Sequence, residues 1–417
     1  MKAEIISIGS EITTGQNLDT NCQWLSQRLA AVGIPVGWHT TVADDLADNV
    51  EVFRTATKRA RLVIATGGLG PTLDDLTREV VAQVAGVELA FDPVSFAQIE
   101  EMFARRKRAM PERNRVQAMV PVGAEAIPNT CGTAPGVWMP IGDSIVVCMP
   151  GVPSEMYVMF EQAVLPRLAA LGMARGVLVQ RKINTFGLGE SQIEEHVADF
   201  TKRGHVPEVG ITASDATISL RIFARAPTLA EALAQAAPIE EAIRARLGQL
   251  VYGMDNEDMQ DCLVTLLTEK RLTLATAESV TGGLIAQRLS QIPGASGWFR
   301  GGIVAYHSDL KVELLGVPRQ LIEQHGVVSA EVAEAMAVGA RTRLRTDFAV
   351  STTGIAGPDG GTPDKPVGLV YVGLAWPGGS DAVSHSWSGT RTEVQSRAAK
   401  LALNRVRLKL LQPAATA

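Results

Sequence analysis

The sequence has little of several features that mark specialised protein classes. None of its apolar runs approaches the roughly 18 residues that a membrane helix needs. Its four cysteines, Cys22, Cys131, Cys148 and Cys262, form no CxxC pair, and its six histidines form no HExxH motif. We therefore expect neither a membrane span nor a disulfide framework nor a zinc finger. The thiols are expected to be reduced.

Aromatic residues and net charge are also low. Aromatics make up 5% of the chain, whereas 39 of the 417 residues are glycine, which favours an α/β fold with many glycine-bearing loops. The net charge of −5 gives no support for nucleic-acid binding. The N-terminal stretch does not resemble a signal peptide, because Glu4 and Glu11 interrupt it. These observations predict a cytoplasmic protein with neither a membrane nor a nucleic acid as partner.

The order of helix and strand patterns predicts three domains. Residues 1–172 alternate between the two patterns, which predicts an α/β/α sandwich with a mainly parallel sheet. Residues 173–253 predict a small α+β linker domain. Residues 258–412 predict a second α/β/α sandwich, ending in a long helix that Thr390 and Glu393 open at capping-box spacing.

The first candidate site is the segment TGGLGPTLDDLT at residues 66–77, where a buried strand enters a glycine-rich turn. We expect a helix to begin near Thr72 and its amides to bind a phosphate, together with those of Gly67, Gly68 and Gly70. Asp74 and Asp75 would then lie in the first helical turn, where a carboxylate beside a phosphate indicates a Mg²⁺-class ion. Acidic residues also suit a helix start without any ligand, so both interpretations stand.

Three further loops are predicted to reach the same crevice, because loops at the carboxyl ends of strands meet there in open α/β sheets. They carry Glu11, a further metal candidate, then Asn129 and Gly132, and then Pro150, Gly151 and Glu155.

These segments carry a family resemblance. The stretches TGGLGPTLDD, NRVQAMVP, NTCGTAPG and MPGVPSEM resemble the N-terminal domain of the competence/damage-inducible CinA family, which is similar to molybdopterin-binding domains. The resemblance implies an ADP-ribose pyrophosphatase that depends on a divalent metal, with Mg²⁺, Mn²⁺ and Co²⁺ all open. The chain reads SEITTGQ where the family commonly has a Leu-Leu pair, but it keeps Glu11 and Gly15.

The second candidate site combines a serine and a lysine. The strand LTLATAES ends at Ser279, and the amides of Thr281, Gly282 and Gly283 are expected to point at the same space, as a nucleophile with an oxyanion hole requires. Alternatively, Ser279 caps the following helix.

The predicted base is Lys311, in the first turn of a helix capped by Ser308, where the dipole and desolvation favour the neutral amine. Tyr306 is placed to relay the proton. A solvated surface lysine is the competing interpretation. The SxxK pattern of penicillin-recognising enzymes also matches at residues 308–311, but neither SDN nor KTG follows.

A long glycine-rich loop completes this second site. Residues 351–368 are too long for a simple turn, and Thr353, Gly354 and Gly357 are candidates to contact a ribose or a phosphate. Arg391, in the first turn of the last helix, is a candidate partner for a phosphate, unless it is an ordinary surface arginine.

The stretches TAESVTGGLIAQRLS, FRGGIVAYHSDLK and TGIAGPDGGTPDKPVG resemble the C-terminal domain of CinA proteins, which also occurs alone as nicotinamide mononucleotide (NMN) deamidase. The resemblance implies that Ser279, Tyr306 and Lys311 hydrolyse the carboxamide. Val280 replaces a usual cysteine, and Asp309 replaces a usual asparagine and is expected to raise the Lys311 pKa. The middle module resembles the family's KH-like domain but lacks a GxxG loop, so we expect a spacer or an oligomerisation element.

The sequence thus predicts a bifunctional hydrolase of NMN and ADP-ribose that forms a homo-oligomer, with a dimer favoured. The metal belongs to the N-terminal site, and the amidase is expected to need no cofactor. Two other hypotheses remain, a non-catalytic nucleotide sensor in competence or DNA-damage responses and a molybdopterin-binding protein.

Overall fold

The computed structural model describes residues 2–174 and 176–412. The chain divides into two compact units, residues 1–179 with 224–234, and residues 180–223 with 235–417. Arg175, within the predicted linker domain, lies outside the described residues. In the part of the chain that is described, no helix combines the length and the apolar character that crossing a bilayer requires.

The first unit begins with an alternation of strands and helices, as its sequence pattern predicts. Its elements are β1 (Ala3–Ile8), α1 (Ser10–Thr13), α2 (Thr20–Ala31), β2 (Val36–Val42), α3 (Leu46–Arg59), β3 (Leu62–Thr66), α4 (Thr77–Ala85), β4 (Leu89–Phe91), α5 (Pro93–Arg105), β5 (Met119–Pro121), β6 (Glu125–Ile127), β7 (Gly136–Ile141), β8 (Ser144–Met149), α6 (Pro153–Met159) and α7 (Leu165–Ala170).

The main sheet of this unit has the strand order β2-β1-β3-β8-β7-β6. Its first four strands are parallel, with Ile5 of β1 opposite Ile64 of β3, and β7 and β6 are antiparallel. Helices α2, α6 and α7 pack on one face of the sheet, whereas α3 and α4 pack on the other. The predicted sandwich with a mainly parallel sheet is confirmed, and the carboxyl ends of β1, β3 and β8 share one edge.

The middle of the chain forms a four-stranded sheet of order β10-β11-β9-β12 with two helices, the KH-like α+β architecture that the sequence predicts. The elements are β9 (Val177–Thr185), α8 (Glu190–Val197), β10 (Glu208–Ser214), β11 (Thr217–Ala226), α9 (Leu229–Leu247) and β12 (Val251–Met254).

The last part of the chain is a second sandwich. Its elements are α10 (Met259–Lys270), β13 (Leu274–Glu278), α11 (Leu284–Ser290), β14 (Phe299–Val304), α12 (Ser308–Leu315), α13 (Arg319–His325), α14 (Ala330–Leu344), β15 (Phe348–Gly354), β16 (Leu369–Trp376), β17 (Gly379–Ser386) and α15 (Arg391–Leu411). The strand order is β14-β13-β15-β16-β17, in which the first three strands are parallel. Helices α10, α11 and α15 cover one face, and α12 and α14 cover the other.

The last helix connects this sandwich to the middle module within the second unit. Lys400 is 7% exposed and donates to the backbone carbonyl of Asp215 at 2.8 Å and to the Thr217 hydroxyl at 3.0 Å. Its ammonium also lies 2.9 Å from the Asp215 carboxylate. The Arg407 guanidinium, which is 2% exposed, donates to the carbonyls of Gln249 and Val251. The helix thus carries two buried cations whose hydrogen-bonding partners lie partly in the middle module.

Candidate functional site

The C-terminal candidate site lies at the edge of the sheet where its parallel strands end. Ser279 follows β13, Tyr306 follows β14, and Thr353 and Gly354 end β15. These residues border a cavity of about 460 Å³. The lining residues are Ser279, Val280, Tyr306, His307, Ser308, Lys311, Val327, Val328, Thr353, Gly354, Ile355, Ala356, Gly357, Asp359, Gly360 and Arg391.

Ser279 and Lys311 meet directly in this cavity. The Lys311 ammonium nitrogen lies 3.0 Å from the Ser279 hydroxyl oxygen. It also donates to the backbone carbonyls of Ala305 at 2.8 Å and Tyr306 at 3.3 Å. Lys311 is 2% exposed, so the interpretation as a solvated surface lysine is wrong. Burial of the ammonium lowers the pKa of Lys311 to about 8.

The hydrogen bonds of Lys311 also orient its neutral form. A neutral amine keeps two N–H groups and one lone pair. If the carbonyls of Ala305 and Tyr306 accept those two N–H groups, the lone pair faces the Ser279 hydroxyl. The pair therefore has the arrangement of a nucleophile and its base.

The turn after Ser279 uses most of its backbone amides internally. Gly283, with a φ of +104°, is the N-cap of α11, so the alternative that Ser279 caps this helix is wrong. The Gly282 amide donates to the Ser279 carbonyl at 3.1 Å, and the Gly283 amide donates to the Glu278 carboxylate at 3.0 Å. The amides of Val280 and Thr281 donate no hydrogen bond to any described residue. Of these two residues only Val280 lines the cavity, so its amide is the one placed to bind an oxyanion.

Glu278 is the residue of this site that the sequence reasoning missed. It is fully buried at the end of β13, and its carboxylate accepts from the Thr281 hydroxyl and from the amides of Gly283, Ile285 and Ala286. An acidic residue that closes an otherwise apolar buried strand was the available signal, because a buried carboxylate requires partners.

Tyr306 and Arg391 lie together at the exposed side of the cavity. The Tyr306 side chain is 56% exposed, and its hydroxyl lies 2.5 Å from the Arg391 guanidinium. The same guanidinium donates to the Gly357 carbonyl at 2.9 Å. The tyrosine hydroxyl is therefore not interposed between Ser279 and Lys311, which contact each other without a relay. These contacts hold the Arg391 guanidinium at the wall of the cavity, which is where its predicted role in binding a phosphate requires it to lie.

Two details at the start of α12 differ from expectation. His307, not Ser308, is the N-cap, and its ring nitrogen accepts from the Asp309 amide at 3.4 Å. The Asp309 carboxylate contacts Arg319 at 3.4 Å, and Lys311 donates no hydrogen bond to it. Burial of the ammonium is the cause of the lowered pKa of Lys311, and Asp309 contributes to no shift of it, so the expectation that Asp309 raises this pKa is wrong.

The predicted binding residues divide into two groups. Thr353, Gly354, Gly357 and Arg391 line the cavity, whereas Thr281, Gly282 and Gly283 do not. The last three instead build the turn behind Ser279. The Thr281 hydroxyl, for example, lies 2.7 Å from both the Glu278 carboxylate and the Thr352 hydroxyl.

The N-terminal candidate site is a cavity of about 530 Å³ at the carboxyl ends of β1, β3 and β8. The lining residues are Ile8, Gly9, Glu11, Asp44, Gly67, Gly68, Leu69, Gly70, Pro71, Asp74, Asp75, Gln117, Thr133, Ala134, Pro150, Gly151, Val152 and Glu155. The loops that the sequence predicted to converge therefore do so. Three predicted binding residues, Thr72, Asn129 and Gly132, are not among the lining residues.

The glycine-rich loop is longer than the sequence predicted. Helix α4 begins at Thr77, so the expectation of a helix from Thr72 with Asp74 and Asp75 in its first turn is wrong. The Asp75 carboxylate accepts from the Gly70 amide at 2.7 Å and from the Thr72 amide at 2.8 Å. These hydrogen bonds close residues 70–75 into a turn, and this turn stands where a first helical turn was predicted.

Two further side chains hold this loop from below. The Thr77 hydroxyl donates to the Gly67 carbonyl at 2.8 Å. The guanidinium of Arg78, which is 2% exposed, donates to the carbonyls of Leu69 and Gly70 at 2.7 and 2.9 Å. A buried cation thus lies directly beneath the loop.

The carboxylates around this cavity differ in the hydrogen bonds that they accept from the protein itself. Asp75 accepts from amides of its own loop, and Asp44 accepts from the Ser10 amide and hydroxyl at 2.8 Å. Asp74 and Glu11 also line the cavity. Within residues 2–174 and 176–412, no three His, Cys, Asp or Glu side chains are grouped to hold a metal. The predicted set of Glu11, Asp74 and Asp75 is thus not assembled as three ligands of one ion.

Asn129 lies behind the cavity wall and hydrogen-bonds residues of that wall and of the adjacent loop. Its side-chain oxygen accepts from the amides of Cys131 and Gly132, and its nitrogen donates to the Glu155 carboxylate at 2.7 Å. A Cβ atom on Gly132 would lie 2.1 Å from that carboxylate. Asn129 and Gly132 therefore fix the position of Glu155, which does line the cavity.

Comparison with known families agrees with this architecture. Residues 4–170 match the family described as "Probable molybdopterin binding domain". Residues 180–253 match the CinA KH domain of damage-inducible proteins, and residues 256–410 match the CinA C-terminal domain.

Two relatives are similar to this chain over nearly their whole length. A Symbiobacterium thermophilum relative, whose name assigns it to the competence-damage inducible proteins, is 45% identical, with 99% of each chain covered. A CinA-like protein of Dictyoglomus thermophilum is 43% identical over 99% of this chain and 100% of its own. The crystal structure of a competence/damage inducible protein from Agrobacterium tumefaciens is 39% identical over 37% of this chain and 94% of its own, with a TM-score of 0.35. The chain belongs to the CinA family.

Proposed function

We propose that the C-terminal site is an amidase that hydrolyses NMN to nicotinate mononucleotide and ammonia. The observation that carries this proposal is the buried contact of 3.0 Å between the Lys311 nitrogen and the Ser279 hydroxyl. The choice of NMN follows the family resemblance. The chemistry of the cavity is compatible with it, because Arg391 supplies a cation for the phosphate.

The reaction follows from these positions. Ser279 attacks the carboxamide carbon while its proton passes to Lys311, and the amide of Val280, which lines the cavity, stabilises the oxyanion. The C–N bond breaks, and Lys311 returns the proton to the leaving ammonia. Water then attacks the acyl-enzyme with Lys311 again as base, which releases the carboxylate product and restores Ser279. Tyr306 orients Arg391 against the substrate phosphate instead of relaying the proton.

The test is ammonia release from NMN by the purified full chain, beside Ser279→Ala and Ser290→Ala. Ser290 is a matched control, because its hydroxyl donates to the Gln287 carbonyl at the exposed end of α11. We expect activity in the wild type and the control, and none in Ser279→Ala. Full activity in Ser279→Ala would refute the nucleophile assignment. No activity in the wild type would refute the amidase and favour the nucleotide-sensing alternative.

A second activity is proposed for the N-terminal site, where ADP-ribose is hydrolysed to AMP and ribose 5-phosphate. The supporting observation is the glycine-rich loop above buried Arg78, in a cavity whose charged lining residues, among those that the structure describes, are all carboxylates. Such a cavity accepts a pyrophosphate only when a cation accompanies it. Asp74 and Glu11 fit as oxygen ligands of a Mg²⁺-class ion that keeps several waters, and this ion would neutralise the phosphate charge.

The competing hypothesis for this domain is pterin binding, which the name of its matching family favours. Cleavage of ADP-ribose that chelation abolishes supports the hydrolase. Binding of a molybdopterin precursor without any metal-dependent cleavage supports the alternative. We also propose that the protein acts as a homodimer, and sedimentation of the full chain tests this.

A further inference from the structure

We infer that Glu278 is a positioning residue for the amidase, whose buried carboxylate fixes the turn Ser279–Gly283 so that the Val280 amide remains unpaired beside the nucleophile. The inference rests on the assignment of Ser279 proposed above. Glu278 touches neither the nucleophile hydroxyl nor the base in the structure, so it acts through the backbone that follows it.

The carboxylate is surrounded by hydrogen-bond donors. One oxygen accepts from the Thr281 hydroxyl at 2.7 Å and from the amides of Gly283 and Ile285 at 3.0 Å. The other accepts from the Ala286 amide at 2.8 Å and lies 3.3 Å from the Thr276 hydroxyl. Glu278 is fully buried, so bulk solvent does not reach its carboxylate. The N-terminal amides of α11 therefore bind an anion that the chain itself provides.

This arrangement determines which amides remain available. The first turn of a helix leaves its amides without partners, and any of them can compete for an anion in the neighbouring cavity. The Glu278 carboxylate binds the amides of Gly283, Ile285 and Ala286, and none of these residues lines the cavity. The amides of Val280 and Thr281 remain, and Val280 lines the cavity beside Ser279. The developing oxyanion is thereby confined to one position next to the nucleophile.

The donor set requires a carboxylate and not merely a side chain of this size. A glutamine has one oxygen and one NH₂ group. Its NH₂ group would therefore point at backbone amides or hydroxyls that now donate to a carboxylate oxygen, and donor would meet donor. Glu278→Gln should therefore disturb the turn while it leaves Arg391, Gly357 and Thr353 in place, because these residues lie on other elements. The expected consequence is a loss in kcat with little change in KM.

The experiment compares Glu278→Gln with Asp261→Asn in the full chain. Asp261 also accepts an amide at the start of a helix of the same unit, from Asp258 at 2.7 Å, but it lies outside the cavity. Two rates are measured: ammonia release from NMN, and covalent labelling of Ser279 by a fluorophosphonate, followed by intact-mass spectrometry. In the labelling reaction the serine oxygen replaces fluoride on phosphorus, with Ser279→Ala as the blank.

We expect Glu278→Gln to lower kcat by about 100-fold, the order found when one oxyanion donor is removed, with KM changed by less than about threefold. Labelling of Ser279 should slow in parallel, and Asp261→Asn should match the wild type in both rates. Wild-type rates in Glu278→Gln, or a loss that appears equally in KM, would overturn the inference.

The two assays separate this inference from the proposed substrate. If the wild type is labelled at Ser279 but releases no ammonia from NMN, the substrate assignment is wrong and the labelling rates alone decide the role of Glu278. If Glu278→Gln does not fold, Thr281→Val replaces it, because this change removes one donor to the carboxylate and keeps the Thr281 amide. At least about fivefold slower labelling is then expected, and an unchanged rate overturns the inference.

Discussion

The amine of Lys311 should determine how ammonia release from NMN depends on pH. The base must be neutral to accept the Ser279 proton, and burial lowers its pKa to about 8. At pH 7 about one Lys311 side chain in ten is then neutral, against roughly one in three thousand for a lysine at its ordinary value. Burial thus supplies roughly a 300-fold larger fraction of active base at neutral pH.

The assay is kcat/KM for ammonia release between pH 6 and pH 10, because this ratio reports the free enzyme. Neutral amine accumulates as the pH rises, so the rate should increase about tenfold between pH 6 and pH 7. It should bend near pH 8 and remain level above pH 9. Lys311→Met should abolish this activity, and Lys311→Arg should do the same because a guanidinium stays protonated.

Controls identify the group that is responsible. Lys270→Met, at the exposed end of α10, should keep the wild-type profile. His307→Asn and Tyr306→Phe change two other titratable groups near the start of α12 and should leave the midpoint near pH 8. A rate that is flat between pH 6 and pH 9, or Lys311→Met activity with the same midpoint, would refute the assignment of Lys311 as the base.

Three further predictions follow from the contacts of single residues. Arg391→Ala should raise KM for NMN about tenfold, because roughly 1.4 kcal/mol of phosphate binding is lost, and kcat should stay within about threefold of the wild type. An unchanged KM in steady-state kinetics would contradict a role of Arg391 in phosphate binding. Asp74→Asn should weaken the Mg²⁺ dependence of ADP-ribose cleavage, read as AMP formed against metal concentration; wild-type dependence argues against metal binding there. Asp215→Asn, which removes a carboxylate from buried Lys400, should lower the free energy of unfolding by about 1–3 kcal/mol in urea; no change in the midpoint contradicts a stabilising ion pair.

Local sequence patterns were enough to place most of the elements. The strands that end at Thr66 and Glu278 are apolar runs that precede glycine-rich turns, and both are fully buried. The capping box of Thr390 and Glu393 is present as predicted, because its hydrogen bonds join residues only three apart. Patterns of this kind depend on neighbours in the chain, so the sequence contains all the information they need.

The start of α4 shows where local patterns fail. Asp74 and Asp75 resemble the acidic first turn of a helix, but the Asp75 carboxylate binds the amides of Gly70 and Thr72 and closes a loop. Arg78 and Thr77 then hold that loop through its carbonyls. A carboxylate that accepts from backbone amides can stabilise either a helix start or a turn, and the surrounding contacts select between them.

The sequence by itself determined the order of domains, the parallel strands and the edge at which each candidate site lies, because these follow from periodicity and from the rule that loops gather at strand ends. Only the tertiary structure decided the state of the individual groups. Lys311 lies 32 positions from Ser279, and the removal of water that lowers its pKa comes from several elements at once. The same holds for the Glu278 carboxylate, since burial and the full set of its donors exist only when the strand and the helix are assembled.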